Sequence, residues 1–185
     1  MCPRALICFT DGAAKNNSTD APAGWAFYIP KLRVKKSGGM LGTNNQAELE
    51  AVKQLLTYLH SIKDKLFSNI LIYSDSKYTI NAVTGKNSAK VNTKLIKEIK
   101  KLRNTLGKKV GLEYIEAHTN STDFLSKCNA IVDKLASNEA KKKTTKKPDK
   151  KSNNVKTNVK TNVKTNVKTN VKTNVKTTSR VKKLE

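Results

Sequence analysis

The hydrophobic pattern of the first 140 residues switches repeatedly between short apolar runs and helical stripes. Residues 5–9 form a brief apolar run, and residues 24–29 carry Trp25, Phe27, Tyr28 and Ile29; both read as strands. Residues 31–42 are partly polar and predict a hairpin around Ser37-Gly38-Gly39, which gives three consecutive antiparallel strands. Val52, Leu55, Leu56, Leu59 and Ile62 then recur at helical spacing, so residues 44–62 predict an amphipathic helix. Its start is marked by Thr43-Asn44-Asn45-Gln46, a capping box in which the Thr and Gln side chains satisfy each other's backbone amides.

A fourth strand is predicted over residues 69–73, leading through Ser74-Asp75-Ser76 into a short helix that ends near Val83. A further helix starts at about Asn92, with Leu95, Ile96, Ile99, Leu102 and Leu106 on one stripe, followed by a strand over residues 110–115. After a polar loop the last helix starts at about Asn129 and carries Ile131, Leu135 and Ala136. Three strands, a helix, a strand, two helices, a strand and a helix imply an α/β fold. The sheet is expected to be mixed, with antiparallel strands first and parallel ones joined by helical crossovers.

Beyond residue 140 the periodicity stops. Lysine, threonine and asparagine dominate, and the tetrapeptide Asn-Val-Lys-Thr repeats six times from Asn154 to Thr177. One valine in four residues cannot close a core, so residues 141–185 are expected to be a disordered basic tail following a domain at residues 1–140. The tail holds 16 basic and 2 acidic residues, so +14 of the net +23 falls there and +9 on the domain. Two basic parts favour a polyanionic partner. The tail is either a phosphate-attracting tether or a passive low-complexity repeat.

The longest apolar stretches are too short to cross a bilayer and no apolar signal region opens the chain, so a protein of the cytoplasm or nucleus, without a membrane partner, is expected. Cys2, Cys8 and Cys128 are widely spaced and lack a C-x-x-C pattern, which argues against a disulfide framework and a zinc site.

Four carboxylates occupy positions where a charge needs a reason. Asp11 ends the first apolar strand and Asp75 the fourth, Glu48 lies on the inward stripe of its helix, and Asp133 falls in the first turns of the last helix. Each alone could be a cap or a dipole partner. Gathered together they could not all stay ionised without a cation, and an all-oxygen set selects Mg²⁺, with Mn²⁺ as a substitute, over Zn²⁺.

Four blocks, Phe9-Thr10-Asp11-Gly12, Thr43-Asn44-Asn45-Gln46-Ala47-Glu48-Leu49, Tyr73-Ser74-Asp75-Ser76-Lys77-Tyr78 and Asn129-Ala130-Ile131-Val132-Asp133-Lys134-Leu135-Ala136, resemble in order the signature blocks of type 1 ribonuclease H. The resemblance implies a five-stranded ribonuclease H-like sheet flanked by helices. It also implies hydrolysis of the RNA strand of RNA·DNA hybrids by two Mg²⁺ ions, leaving 5′-phosphate and 3′-hydroxyl ends. By the same resemblance Asp11, Glu48, Asp75 and Asp133 are the catalytic metal ligands, and His118, in Ala117-His118-Thr119, matches a mobile histidine loop serving acid/base chemistry or product release. Asn44 and Asn45 match a pair that senses the RNA 2′-hydroxyl, and Thr43 and Asn92 match a DNA-phosphate pocket.

The chain departs from the resemblance in three places. Residues 13–23 replace a glycine-rich turn, the stretch between Val83 and Asn92 lacks room for a basic handle helix, and the histidine loop is longer than in many members, with Cys128 where a glycine often stands. The expected assembly is a monomer. The alternatives are an integrase- or resolvase-like nuclease of the same fold and a non-catalytic nucleic-acid-binding protein.

Overall fold

The computed structural model describes residues 5–62, 67, 69–86, 89–107, 109–117 and 121–142. His118 and residues 143–185, hence nearly all of the predicted tail, lie outside the described residues.

Five strands form one sheet: β1 (Ala5–Ala14), β2 (Pro22–Ile29), β3 (Val34–Leu41), β4 (Asn69–Ser74) and β5 (Lys109–Tyr114), in the order β3-β2-β1-β4-β5. The pairs β1·β2 and β2·β3 are antiparallel, whereas β1·β4 and β4·β5 are parallel, as the element order requires. Four helices accompany them: α1 (Asn44–Ile62), α2 (Lys77–Thr84), α3 (Thr93–Thr105) and α4 (Phe124–Lys141). The predicted five-stranded mixed sheet with flanking helices is the fold observed.

Side chains alternate across the sheet, so the central strands β1, β2 and β4 feed two cores. Leu6, Cys8, Phe27, Ile72 and Leu112 pack with Leu49, Val52, Leu55, Ile80 and Ile99 of α1, α2 and α3. Phe9 and Ala26 pack instead with Cys128, Val132 and Ala136 of α4. Each fully buried Leu, Ile or Phe contributes about 1.5–3 kcal/mol, so the two layers pin every central strand from both faces. Burial in this core pushes the Cys8 thiol up to about 12, which leaves it a packing group.

Three expectations need correction. β1 does not stop at Phe9 but runs to Ala14, because its second half pairs antiparallel with β2 from Phe9↔Tyr28 to Ala14↔Ala23 after the parallel partner β4 has ended. Ser37-Gly38-Gly39 is not a turn. It lies in mid-strand opposite Ala26, Trp25 and Gly24, while the chain reverses earlier through a 3₁₀ turn, Pro30–Leu32, closed by Arg33 at φ 53°. Gly38 is glycine because a Cβ there would stand 2.6 Å from Cζ2 of Trp25, so its sequence signal reflects ring packing and not chain reversal. Finally, α4 begins at Phe124, five residues before Asn129, on a cap in which the Ser126 amide donates to Asp123 Oδ1 at 3.0 Å.

Candidate active site

The parallel pairing of β1 with β4 ends at Phe9↔Tyr73, so the two strands carry their next residues to the same edge of the sheet. Asp11 continues along β1 while still paired to Ala26 of β2, and Asp75 comes directly after the last residue of β4. α1 brings the third group. Its start is fixed by the capping box, with the Thr43 amide donating to Gln46 Oε1 at 2.9 Å and the Gln46 amide to Thr43 Oγ1 at 3.3 Å. The first turn can press on the strand because residue 12 has no side chain: a Cβ on Gly12 would collide with the backbone nitrogen of Glu48.

The result is a tight acidic group. Asp11, Glu48 and Asp75 each present a carboxylate oxygen within 4.8 Å of the others. Asp11 and Glu48 are only 5% and 4% exposed, so water cannot screen their mutual repulsion. Burial, then the charge of Asp75, pushes the Asp11 carboxyl up to about 7, although the Gly12 amide donates to its Oδ1 at 2.7 Å and works the other way. Glu48 is held well above the usual carboxylate range by burial and by the charges of Asp11 and Asp75. Its Oε2 is buried without a hydrogen-bond partner. An orphaned carboxylate oxygen is costly to bury, and here it sits among other acceptors.

Three predicted ligands therefore come together. Asp133 occupies a different place from the one expected: with α4 starting at Phe124 it stands in the middle of the helix, half-buried. It lies outside the 4.8 Å group, yet its charge adds to the upward push on Asp11. Ser137, one turn further along α4, donates to Asp133 Oδ1 at 3.4 Å. That contact was legible only as a serine at i+4, a spacing too common to stand out. Asn129, one turn before Asp133, is buried with Oδ1 lacking a partner.

The remaining predicted residues surround the acidic group unevenly. Asn44 opens α1 and its Oδ1 accepts from the Ala14 amide at 3.1 Å, tying the end of β1 to the helix; Asn45 is half-buried beside it. Thr43 spends its hydroxyl oxygen on the cap. Asn92 precedes α3 at φ 58° and offers no side-chain cap; its Nδ2 donates to the Tyr78 hydroxyl at 3.1 Å.

A mixed sheet of this order, with carboxylates from β1, the residue after β4 and the first turn of α1 converging on one edge, is the arrangement of a nuclease of the ribonuclease H-like fold. The RNase H family model matches residues 3–141, and the chain belongs to the ribonuclease H family. Ribonuclease H of Tropheryma whipplei (strain Twist) is 30% identical over 153 residues, covering 76% of this chain and 87% of that protein. Among solved structures, LC11-RNase H1, isolated from compost, superimposes with a TM-score of 0.59 at 23% identity over 74% of this chain and 95% of that one. The same enzyme in complex with an RNA/DNA hybrid gives a TM-score of 0.57 at 23% identity, covering 72% and 94%. Among the described residues no helix is long and apolar enough to cross a membrane.

Proposed function

We propose that this protein hydrolyses the RNA strand of RNA·DNA hybrids, with two divalent ions, Mg²⁺ or in its place Mn²⁺, held by Asp11, Glu48, Asp75 and Asp133. The observation that carries the reading is the acidic group itself: three carboxylates from three elements within 4.8 Å, one with a buried orphaned oxygen. Such a set suits a hard cation, because every donor is an oxygen and only opposing charge makes their joint ionisation tolerable. When bound, divalent ions supply Lewis-acid chemistry at the attacking and leaving oxygens of a phosphodiester, which yields 5′-phosphate and 3′-hydroxyl ends.

The chain's own groups then have separate tasks. Asp11, central in the cluster and fixed by the Gly12 amide, orients the metal site as a whole. Asn44 and Asn45 face the RNA 2′-hydroxyls, the one feature that tells the two strands apart. Thr43 and Asn92 hold DNA phosphates, and His118 carries a proton to or from the reacting oxygens. The solved complex of LC11-RNase H1 with an RNA/DNA hybrid supports the choice of substrate. Residues 1–140 form the catalytic unit, acting as a monomer inside the cell, and the Lys-rich residues after it add phosphate affinity. Truncation after Lys141 is expected to preserve the chemical step while weakening hybrid binding and flattening its salt dependence.

The test is cleavage of end-labelled RNA·DNA hybrid, RNA duplex and DNA duplex with Mg²⁺ and with excess chelator. Cutting of only the hybrid's RNA, and only with metal, is expected. Cutting of all three duplexes would favour a general nuclease, and hybrid cleavage in chelator would end the metal assignment.

A further inference from the structure

We propose that the cleft along one side of α3 binds single-stranded DNA that continues beyond the hybrid, so that the protein favours hybrids whose DNA strand extends past the RNA. The inference rests on the proposed hybrid cleavage and concerns nucleic acid that the acidic group never meets.

Two cavities lie in line along α3. The first, of about 260 Å³, separates α2 from α3 and is bordered by Ala82, Gly85 and Ala89 on one side and by Thr93, Lys97 and Lys100 on the other. The second, of about 630 Å³, separates the end of α3 from the start of β5 and is bordered by Arg103, Asn104 and Gly107 and by Lys109 and Gly111. Thr93, Lys97, Lys100 and Asn104 stand four, three and four residues apart, the spacing of one helix side, so both cavities open on the same stripe. From Thr93 to Asn104 the stripe is about 16 Å long, enough for several consecutive nucleotides.

The stripe is cationic throughout. Lys97 and Lys109 are exposed, Lys100 and Arg103 are half-buried, and no ion pair among the described residues engages any of them. Glu98, the one acidic residue of α3, turns away, with its Oε2 3.5 Å from Lys53 Nζ on α1. No carboxylate is among the residues that line either cavity. Lys100 reaches across the first cavity, its Nζ 3.8 Å from where a Cβ on Gly85 would stand. Arg103 is fixed across the second: its Nε and Nη2 donate to Val110 O at 3.1 and 2.8 Å, which uses two of its five N–H donors and holds the guanidinium in place before a ligand arrives. The cleft thus offers charge in a row but no aromatic face on which a base could stack, so recognition follows phosphates and ignores base sequence.

Its course selects a single strand. The near end adjoins the acidic edge, because Asn92, just before Thr93, donates to the hydroxyl of Tyr78, three residues after Asp75. The far end does not. Lys109 pairs with Asn69 at the start of β4, whereas Asp75 follows the end of that strand, so the second cavity lies a strand length, about 20 Å, from the acidic edge. A duplex, stiff over about 150 base pairs, runs straight on from the edge where it is cut, but a single strand can turn and follow the helix.

The experiment uses the full chain in chelator and measures, by fluorescence anisotropy, binding of labelled hybrid that is blunt or carries about a dozen unpaired nucleotides at either end of its DNA strand. Wild type is compared with K97Q/K100Q and K94Q/K101Q. The two variants lose equal charge from one helix and differ in the side that loses it, since Lys94 and Lys101 do not line the cleft. Wild type should bind one of the extended hybrids about tenfold more tightly than the blunt one, with a steeper salt dependence. K97Q/K100Q should bring that ratio to about one, while K94Q/K101Q should keep it. A ratio of one in wild type, or a ratio that survives in K97Q/K100Q or falls equally in both variants, overturns the cleft assignment alone. A wild type that leaves hybrid uncut when Mg²⁺ is restored overturns the underlying function, and the inference with it.

Discussion

Asp11 and Asp123 are both aspartates at places where the chain changes direction or partner, and their surroundings move their protons in opposite ways. Asp123 is fully exposed and accepts from the hydroxyls of Ser121 and Ser126 and the amide of Ser126, which hold its carboxyl well below the ordinary range. Asp11 is buried with one amide donor and three acidic neighbours, and its carboxyl rises to about 7. The first arrangement uses its charge to cap the start of a helix. The second stores repulsion that a bound proton or an incoming cation relieves, and that separates a carboxylate of structure from one of chemistry.

The comparison can be broken at its strongest point first. Asp11→Asn should lower hybrid cleavage by about a thousandfold or more, since several kcal/mol of metal-dependent stabilisation is lost, while hybrid binding in chelator persists. Retained turnover in a labelled-hybrid assay would remove Asp11 from the chemistry.

Gly12→Ala attacks the packing that brings Glu48 in. The added methyl meets the Glu48 backbone, so α1 must back away from β1, and both melting temperature and activity should fall, with a stability loss of about 1–3 kcal/mol by chemical denaturation.

A third prediction concerns pH without metal. Asp11 has a folded pKa of about 7, above its ordinary 3.8, and Glu48 is also raised. The folded chain therefore keeps protons that the unfolded chain releases, so this contribution to stability is fully present below pH 4 and lost as pH rises through 7. In chelator, the dependence of melting temperature on pH should be flatter from pH 5 to 8 in Asp11→Asn than in wild type, and Mg²⁺ should raise the wild-type melting temperature more at pH 8 than at pH 5. Calorimetric scans with and without Mg²⁺ decide it.

The smallest effect belongs to Asp123→Ala. Loss of the cap should lower the melting temperature by a few degrees at neutral pH and change kcat little. Because the Asp123 carboxyl is held low, its contribution is present above the ordinary aspartate range and lost only as pH falls toward strong acid.

Legibility in the sequence divides along the same line. The bounds of α1 were readable to the residue because the capping box and the apolar stripe mark opposite ends of one helix. Asp11, Glu48 and Asp75 stood out because a charge closing an apolar run has few bland explanations. Gly38 misled, since a glycine required by a ring on the neighbouring strand has the same letter as one required by a turn. The start of α4 was hidden because Asp123 caps it within a polar loop where any of several residues could have served. The Ser137 contact and the cleft beside α3 depend on how the helices cross the sheet, which no local pattern encodes.

The most direct measurement of the central claim is calorimetric titration of Mn²⁺ into the full chain at pH 7, repeated in two buffers of different ionisation heat, for wild type and Asp11→Asn. Wild type should bind with proton release to the buffer, because cations displace the protons that burial holds on Asp11 and Glu48, and Asp11→Asn should bind much more weakly and release fewer. Equal affinity and equal proton release in the two proteins would contradict the account.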